Sequence, residues 1–210
     1  MEEKIKEMAQ AGYGCWKPTK EMIGTQSGLV TRKSWTRLGQ TIKANETVFE
    51  VRKIEDGDIT IYKVGEFVCG SNTDDERVFN VVCTLELKRN RATEHRFKQS
   101  MIYNVDGVIV KKSLRGNKIA LKLYIIIVKQ EGLVILGDEL QYFGARVMWA
   151  RFSHHLELIV DIINIETGKY LERSVVLEHG EEDWEFDERV WSYDTDKNDI
   201  RLLLRDIKKK

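Results

Sequence analysis

The sequence predicts an α+β protein, mainly β, in which an antiparallel sandwich or barrel carries two or three peripheral helices. Apolar and polar residues alternate from residue 47 onwards, as in Phe79–Leu87, and this period of two is typical of strands. Turn residues separate the alternating runs, as at Asp56-Gly57 and Glu166-Thr167-Gly168. Strands and helices do not alternate regularly along the chain, which argues against a doubly wound parallel sheet.

The N-terminal part, residues 1–46, is predicted to be a helix and loop segment that precedes a β-rich core at residues 47–210. A short helix fits the first dozen residues, because Ile5, Met8 and Ala9 share one face. The rest of this part is polar and dotted with glycine, which indicates a long loop with short pieces of strand. A chain of 210 residues is expected to form one domain overall.

The first half of the core is predicted to consist of strands joined by tight turns. Val48–Lys53 and Asp58–Val64 form a hairpin, because an Asp-Gly pair between alternating runs favours a two-residue turn. Phe79–Leu87 is the next predicted strand. Asn104-Val105-Asp106-Gly107 is then expected to turn the chain between two short strands. Those two strands are Gln99–Tyr103 and Val108–Lys112.

The second half of the core adds one helix to further strands. Lys118–Val128 is predicted as a strand because Ile, Leu and Val dominate it. A helix is predicted over Asp138–Phe152, where apolar residues recur at three- and four-residue steps. Ile200–Ile207 fits either a strand or a short amphipathic helix. The remaining predicted strands are Gly132–Leu136, His155–Ile165, Tyr170–Leu177 and Arg189–Tyr193.

Composition limits the environment more than the function. The three cysteines include no C-x-x-C pair, so a reducing, intracellular setting is the simplest interpretation. The longest apolar run, Leu123–Val128, is far shorter than the roughly 20 residues of a membrane helix. We therefore expect a soluble protein without a transmembrane segment, in the cytoplasm or the nucleus. No metal-ligand spacing or Gly-rich phosphate loop is present, and no cofactor is predicted.

Charge is separated along the chain although the formal net charge is zero. Ten basic residues lie between Lys88 and Lys122 against only two acidic ones, whereas ten acidic residues lie between Glu178 and Asp199 against two basic ones. The basic stretch is predicted to contact an anionic partner, either single-stranded nucleic acid or an acidic protein face. The predicted anion-binding residues are Lys88, Arg89, Arg91, Arg96, Lys98, Lys111, Lys112, Arg115 and Lys118, with Phe97, Tyr103 and Tyr124 as stacking surfaces.

The acidic stretch is predicted to be the counter-surface of a homo-oligomer. Trp184, Phe186 and Trp191 lie within it and are candidate interface anchors, although such aromatics also dock against a core. Pairing of the two charged stretches inside one molecule is the structural alternative. The favoured interpretation is a non-enzymatic binding or assembly protein, for which a viral structural or movement-type protein is one possibility.

Two further alternatives come from short patterns. Asp75, Glu86 and Lys88 have the rough form of the D…E-x-K site of metal-dependent nucleases, in which carboxylates bind Mg²⁺ and the metal activates water. Gly14-Cys15-Trp16 resembles the G-x-W element near the start of lipocalin barrels. That resemblance implies a barrel with an apolar interior that carries an apolar ligand.

Overall fold

The fold is given by a computed structural model that describes residues 24–26, 35–69, 77–137, 143–177, 190 and 199–208. Several sequence predictions lie outside these ranges. They are the N-terminal helix, the G-x-W element, Asp75, the strand at Arg189–Tyr193, and the acidic stretch apart from Val190 and Asp199, with its aromatic residues Trp184, Phe186 and Trp191.

Strands and helices alternate only in the middle of the described chain. The strands are β1 Gly24–Gln26, β2 Thr36–Ala44, β3 Thr47–Asp56, β4 Ile59–Cys69, β5 Arg77–Arg89, β6 Ile102–Val110, β7 Val134–Leu136, β8 Leu158–Asn164, β9 Lys169–Glu172 and β10 Ile200–Asp206. The helices are α1 Arg91–Phe97, α2 Ile119–Ile126 and α3 Phe143–Ser153, with a 3-10 turn at Lys112–Leu114 and a π-helical turn at Ile127–Glu131.

The predicted class, α+β and mainly β, is confirmed, and the strands form a single mixed sheet. Its order is β2-β3-β4-β5-β6-β7-β10-β8-β9, with β1 also pairing with β5. The arrangement differs from a two-sheet sandwich because β10 pairs with both β7 and β8 and makes the sheet continuous. It differs from a barrel because β2 and β9 end the order without pairing with each other.

Most of the local predictions agree with the structure. The β3–β4 hairpin turns at Gly57, whose φ of 59° is in the left-handed region that an Asp-Gly turn supplies. The predicted helix at residues 138–152 is present as α3. Of the two alternatives for the tail, the strand is correct, since Ile200–Asp206 pairs along its whole length with β8.

Two local predictions were wrong. Lys118–Val128 was predicted as a strand but contains the helix α2. The prediction failed because α2 is apolar on nearly every side and therefore lacks a readable 3.6-residue period. The predicted turn Asn104-Val105-Asp106-Gly107 lies inside the continuous strand β6. Asp106 is there the extra residue of a β-bulge, since Glu86 pairs with Gly107 and Leu87 pairs with Val105.

Apolar residues pack on both faces of the sheet. In β10, Leu202 and Leu204 join the larger cluster while Leu203 joins the smaller one, because successive strand residues point to opposite faces. Helices α2 and α3 cover the larger cluster, and Phe97 of α1 packs against the smaller one. Cys83 lies in the larger cluster, where burial raises the pKa of its thiol to about 12. No helix in the described ranges is long and apolar enough to cross a membrane.

Candidate anion-binding site at the end of strand β6

The predicted basic stretch is divided between the two ends of β6. Arg89 pairs with Tyr103 at the start of this strand, and Cys83 pairs with Val110 at its end. Seven residues of strand separate the two positions, or about 23 Å. The basic residues therefore form a start group and an end group. The start group is Lys88, Arg89, Arg91, Arg96 and Lys98, and the end group is Lys111, Lys112, Arg115 and Lys118.

Arg89, in the start group, pairs with a carboxylate of its own molecule. Its Nε donates to both carboxylate oxygens of Glu94, at 3.0 and 3.1 Å. Burial alone would raise the pKa of Glu94, but the hydrogen bonds from Arg89 and from the Ile102 N–H outweigh burial and lower it. Arg89 therefore ties α1 to the end of β5.

The other two arginines of the start group are also engaged within the chain. Arg91 donates to Asp58 at 2.7 and 3.0 Å, and this contact lowers the pKa of the Asp58 carboxyl. Arg96 donates to the backbone oxygen of Ile165 at 2.6 Å. Lys88 and Lys98 are exposed. In the start group, Lys88, Arg96 and Lys98 are therefore exposed cations that no described carboxylate pairs with.

One of the predicted stacking surfaces is inaccessible. Tyr124 is 1% exposed and lies on the buried side of α2, within the larger cluster. Phe97 packs edge-on against Tyr170, with ring centroids 5.3 Å apart. Tyr124 therefore presents no face for a nucleotide base, and the stacking prediction was wrong for this residue, whereas Phe97 is half-buried.

The end group occupies the connection between β6 and α2, which we call the β6–α2 loop (residues 111–118). All four of its cations are exposed, and the loop contains no acidic residue. Within the described ranges, no carboxylate forms an ion pair with any of them. Arg115 is held in place by donating from Nε to the Val110 backbone oxygen at 3.3 Å. The loop therefore gathers four cations at the carboxyl end of β6.

The N-terminus of α2 opens onto this loop without a cap. Lys118 is the N-cap residue and its side chain makes no capping hydrogen bond. The first bond of the helix runs from the Lys122 N–H to the Lys118 oxygen, at 2.9 Å. The N–H groups of Ile119, Ala120 and Leu121 are thus left without an intrahelical partner. Such free N–H groups, together with the helix dipole, favour an anion at this position.

Lys118 adopts a backbone conformation that suits glycine, with φ 58° and ψ 25°. We expect Lys118→Gly to raise the free energy of unfolding by about 1 kcal/mol, because a residue with a Cβ is strained in the left-handed region. Chemical denaturation followed by tryptophan fluorescence measures the change. Lys98 is also left-handed, with φ 50°, so Lys98→Gly is the matched variant and should raise the free energy of unfolding for the same reason. A stability gain for Lys98→Gly alone would contradict the account of Lys118.

Strands β6 and β7 separate after Asn104, seven residues before the β6–α2 loop begins at Lys111. They run parallel and pair only over Ile102–Asn104. Beyond this, β6 stays with β5, since the Lys111 N–H donates to the Val82 oxygen at 2.8 Å. The chain after β7 follows β10 instead, since the Gly137 N–H donates to the Leu202 oxygen at 2.8 Å. From Val105 to Val110 no described strand pairs with β6 on the side away from β5, and we call this open stretch the β6–β7 cleft.

One edge of β6 faces this cleft with backbone groups that no described strand pairs, although the Val110 oxygen accepts from Arg115. Hydrogen-bonded and non-bonded pairs alternate in an antiparallel ladder. Because Lys111 bonds to Val82, the residues Val108 and Val110 direct their N–H and C=O groups away from β5. No described strand pairs with β6 on that side beyond Asn104.

The structure brings together only part of the proposed nuclease site. Glu86 and Lys88 lie on the same face of β5, and Asp75 is outside the described residues. The nearest acidic partner of Glu86 is Asp106, within hydrogen-bonding reach. In the described ranges, no three His, Cys, Asp or Glu side chains are grouped so as to hold a metal ion.

Comparison with protein-family models, with curated proteins and with solved structures gives no match to this chain.

Proposed function

We propose that this chain binds a small ligand that carries phosphate groups, with the phosphates at the β6–α2 loop. The observation that supports this most is the combination of four cations and an uncapped helix N-terminus at one position. Lysine and arginine provide charge-assisted hydrogen bonds to phosphate. The free N–H groups of the first turn of α2 complete the set of donors.

The β6–β7 cleft would bind a further part of the ligand, beyond its phosphates. Val108 offers its backbone N–H and C=O along the open edge of β6, and Val110 offers its N–H, since the Val110 oxygen already accepts from Arg115. An extended arm with amide groups pairs with such an edge as an added strand does. A diphosphate joined to an amide-bearing arm is the chemical composition of coenzyme A. We therefore propose coenzyme A, or one of its acyl thioesters, as the ligand.

The same placement favours a class of reaction. The thioester carbonyl of an acyl-coenzyme A lies at the far end of its arm, and in the cleft it would face the open edge of β6. Backbone N–H groups aimed at a carbonyl stabilise the negative charge that develops during acyl transfer. Acyl transfer to an amine or a hydroxyl group is thus the reaction that we propose for the bound thioester.

The sequence predicted a nucleic acid or an acidic protein face as the anionic partner. We propose a small phosphate-bearing ligand instead. A single-stranded nucleic acid would need a longer basic track, whereas two of the five start-group cations pair with carboxylates of the chain itself, Arg89 with Glu94 and Arg91 with Asp58. Self-association through the acidic stretch involves residues outside the described ranges and stays a separate prediction. Single-stranded RNA is accordingly the competing ligand in the experiment.

Isothermal titration calorimetry with coenzyme A, ADP, pantetheine and a short single-stranded RNA tests the proposal. We expect coenzyme A to bind more tightly than ADP, and ADP more tightly than pantetheine, because the phosphates supply most of the affinity. Lys111→Ala combined with Lys112→Ala should weaken coenzyme A binding about tenfold or more, since a hydrogen bond to a charged group contributes about 1.5–3 kcal/mol.

The double variant Lys88→Ala with Lys98→Ala is the matched control. It removes two exposed lysines of the start group and should leave coenzyme A affinity unchanged. Equal losses in both double variants would show that binding is not localised at the β6–α2 loop. Tight binding of the RNA without measurable binding of coenzyme A would overturn the proposal in favour of a nucleic-acid partner.

A further inference from the structure

Two acidic side chains meet at the β-bulge between β5 and β6. Asp106 is the extra residue on β6, and Glu86 lies beside it on β5, next to the register shift. The two carboxyl groups are within hydrogen-bonding reach of each other. Since two carboxylates repel one another, a hydrogen bond between them requires that one of them hold a proton.

The charged groups around this pair do not neutralise it. On β5, Lys88 lies two residues beyond Glu86 and is exposed. On β4, the uncharged Ile61 is directly opposite Glu86, and Lys63 is the next residue on that face, over the ring of Trp35 at 4.8 Å. Burial, followed by the charge of Asp106 and the hydrogen bond with it, raises the pKa of Glu86, and no cation is among the causes.

The pair also lies beside the cleft. Asn104 is the last residue of β6 that pairs with β7, and Asp106 follows two residues later. Val108, which offers its backbone groups to the cleft, is two residues further along the same strand. A change in the β5–β6 contact at the bulge would therefore move the strand that forms one wall of the cleft.

We propose that Glu86 and Asp106 form a pH-sensitive contact that holds β5 to β6 when they share a proton and loosens this part of the sheet when both are ionised. The sign follows from the two charge states. At low pH the shared proton joins the strands. As the pH rises through the raised pKa of Glu86, the bond is lost and two like charges face each other across the ladder. The consequence for coenzyme A binding rests on the proposed function, but the contact itself does not.

Hydrogen exchange of the free protein tests the contact without any ligand. Protection factors are measured at pH 4 and pH 7 for amides at residues 85–88 and 105–108, after correction for the intrinsic exchange rates. In the unmodified chain we expect protection there to fall by about two- to fivefold at the higher pH, the size expected for like charges on facing strands. Amides of β8 serve as the internal reference.

Glu86→Gln should abolish this fall, because glutamine keeps the shape and the hydrogen bond but cannot ionise. Asp106→Asn is the second variant and should give the same result from the other strand. Glu46→Gln, in the exposed β2–β3 turn, should behave as the unmodified chain does. Protection that is equal at both pH values in the unmodified chain, or a fall that persists in both variants, would overturn the inference. Neither result depends on whether coenzyme A binds.

Discussion

Asp161→Ala is expected to lower the free energy of unfolding by about 3–5 kcal/mol, because it breaks a buried ion pair. Asp161 is 0% exposed and accepts a hydrogen bond from Arg205 Nε at 2.7 Å. It also accepts from the Ser174 backbone N–H at 2.9 Å. Removal of the carboxylate takes away a buried partner of the Arg205 guanidinium and the acceptor of the Ser174 N–H. Urea denaturation followed by tryptophan fluorescence measures the loss.

A paired variant separates the ion pair from general damage to the core. Asp161→Leu with Arg205→Met replaces both charges by apolar groups and should recover much of the stability lost in Asp161→Ala, because no buried charge remains uncompensated. Glu157→Ala removes the exposed partner of Lys129 and should have little effect. If Asp161→Ala costs no more than Glu157→Ala, the buried pair does not have the importance assigned to it.

Gly65→Ala is expected to lower the free energy of unfolding by about 2–3 kcal/mol through overpacking. A Cβ at Gly65 would lie 2.4 Å from the Asn80 backbone oxygen and 2.9 Å from the ring of Phe79. The backbone oxygen cannot turn away as a flexible side chain does. The register of β4 with β5 shifts at this residue, so the close approach belongs to the bulge itself. Thermal and urea denaturation should both report the loss.

Comparison of Gly65→Ala with Gly57→Ala separates the stability cost of a steric clash from the cost of backbone strain. Gly57 has a φ of 59°, and a Cβ there would meet no atom within 4 Å. Its replacement should therefore cost only the strain of the left-handed conformation, about 1 kcal/mol. A cost for Gly65→Ala that is no greater than that for Gly57→Ala would mean that β4 and β5 separate easily at the bulge.

Local patterns predicted the β3–β4 hairpin and β5 well, because their signals are local, whereas β2 lies in the segment that was predicted as a loop. The β3–β4 hairpin needs only an alternating run on either side of Gly57, and both features stand in the sequence. The helix α2 was missed for a physical reason. Ile119, Leu123 and Tyr124 are buried, yet Leu121, Ile125 and Ile126 are also partly covered, so no polar stripe marks the helix.

The candidate site could be predicted only in part. The sequence indicated the cations of the β6–α2 loop but did not distinguish them from those of the start group. That distinction depends on Asp58, which is 33 residues from Arg91 in sequence and pairs with it in space. The left-handed Lys118 and the divergence of β6 from β7 are tertiary features without a local signal. The carboxyl pair was hidden because Asp106 was assigned to a turn.

The insertion of β10 between β7 and β8 has a consequence for synthesis on the ribosome. Both neighbours of β10 emerge before it, and the pairing of Leu136 with Leu203 joins residues far apart in the chain. Until Ile200–Asp206 has emerged, the nascent chain exposes two apolar strand edges that have no partner. Such edges favour aggregation, so a chaperone that binds extended apolar segments would protect the nascent chain during this interval.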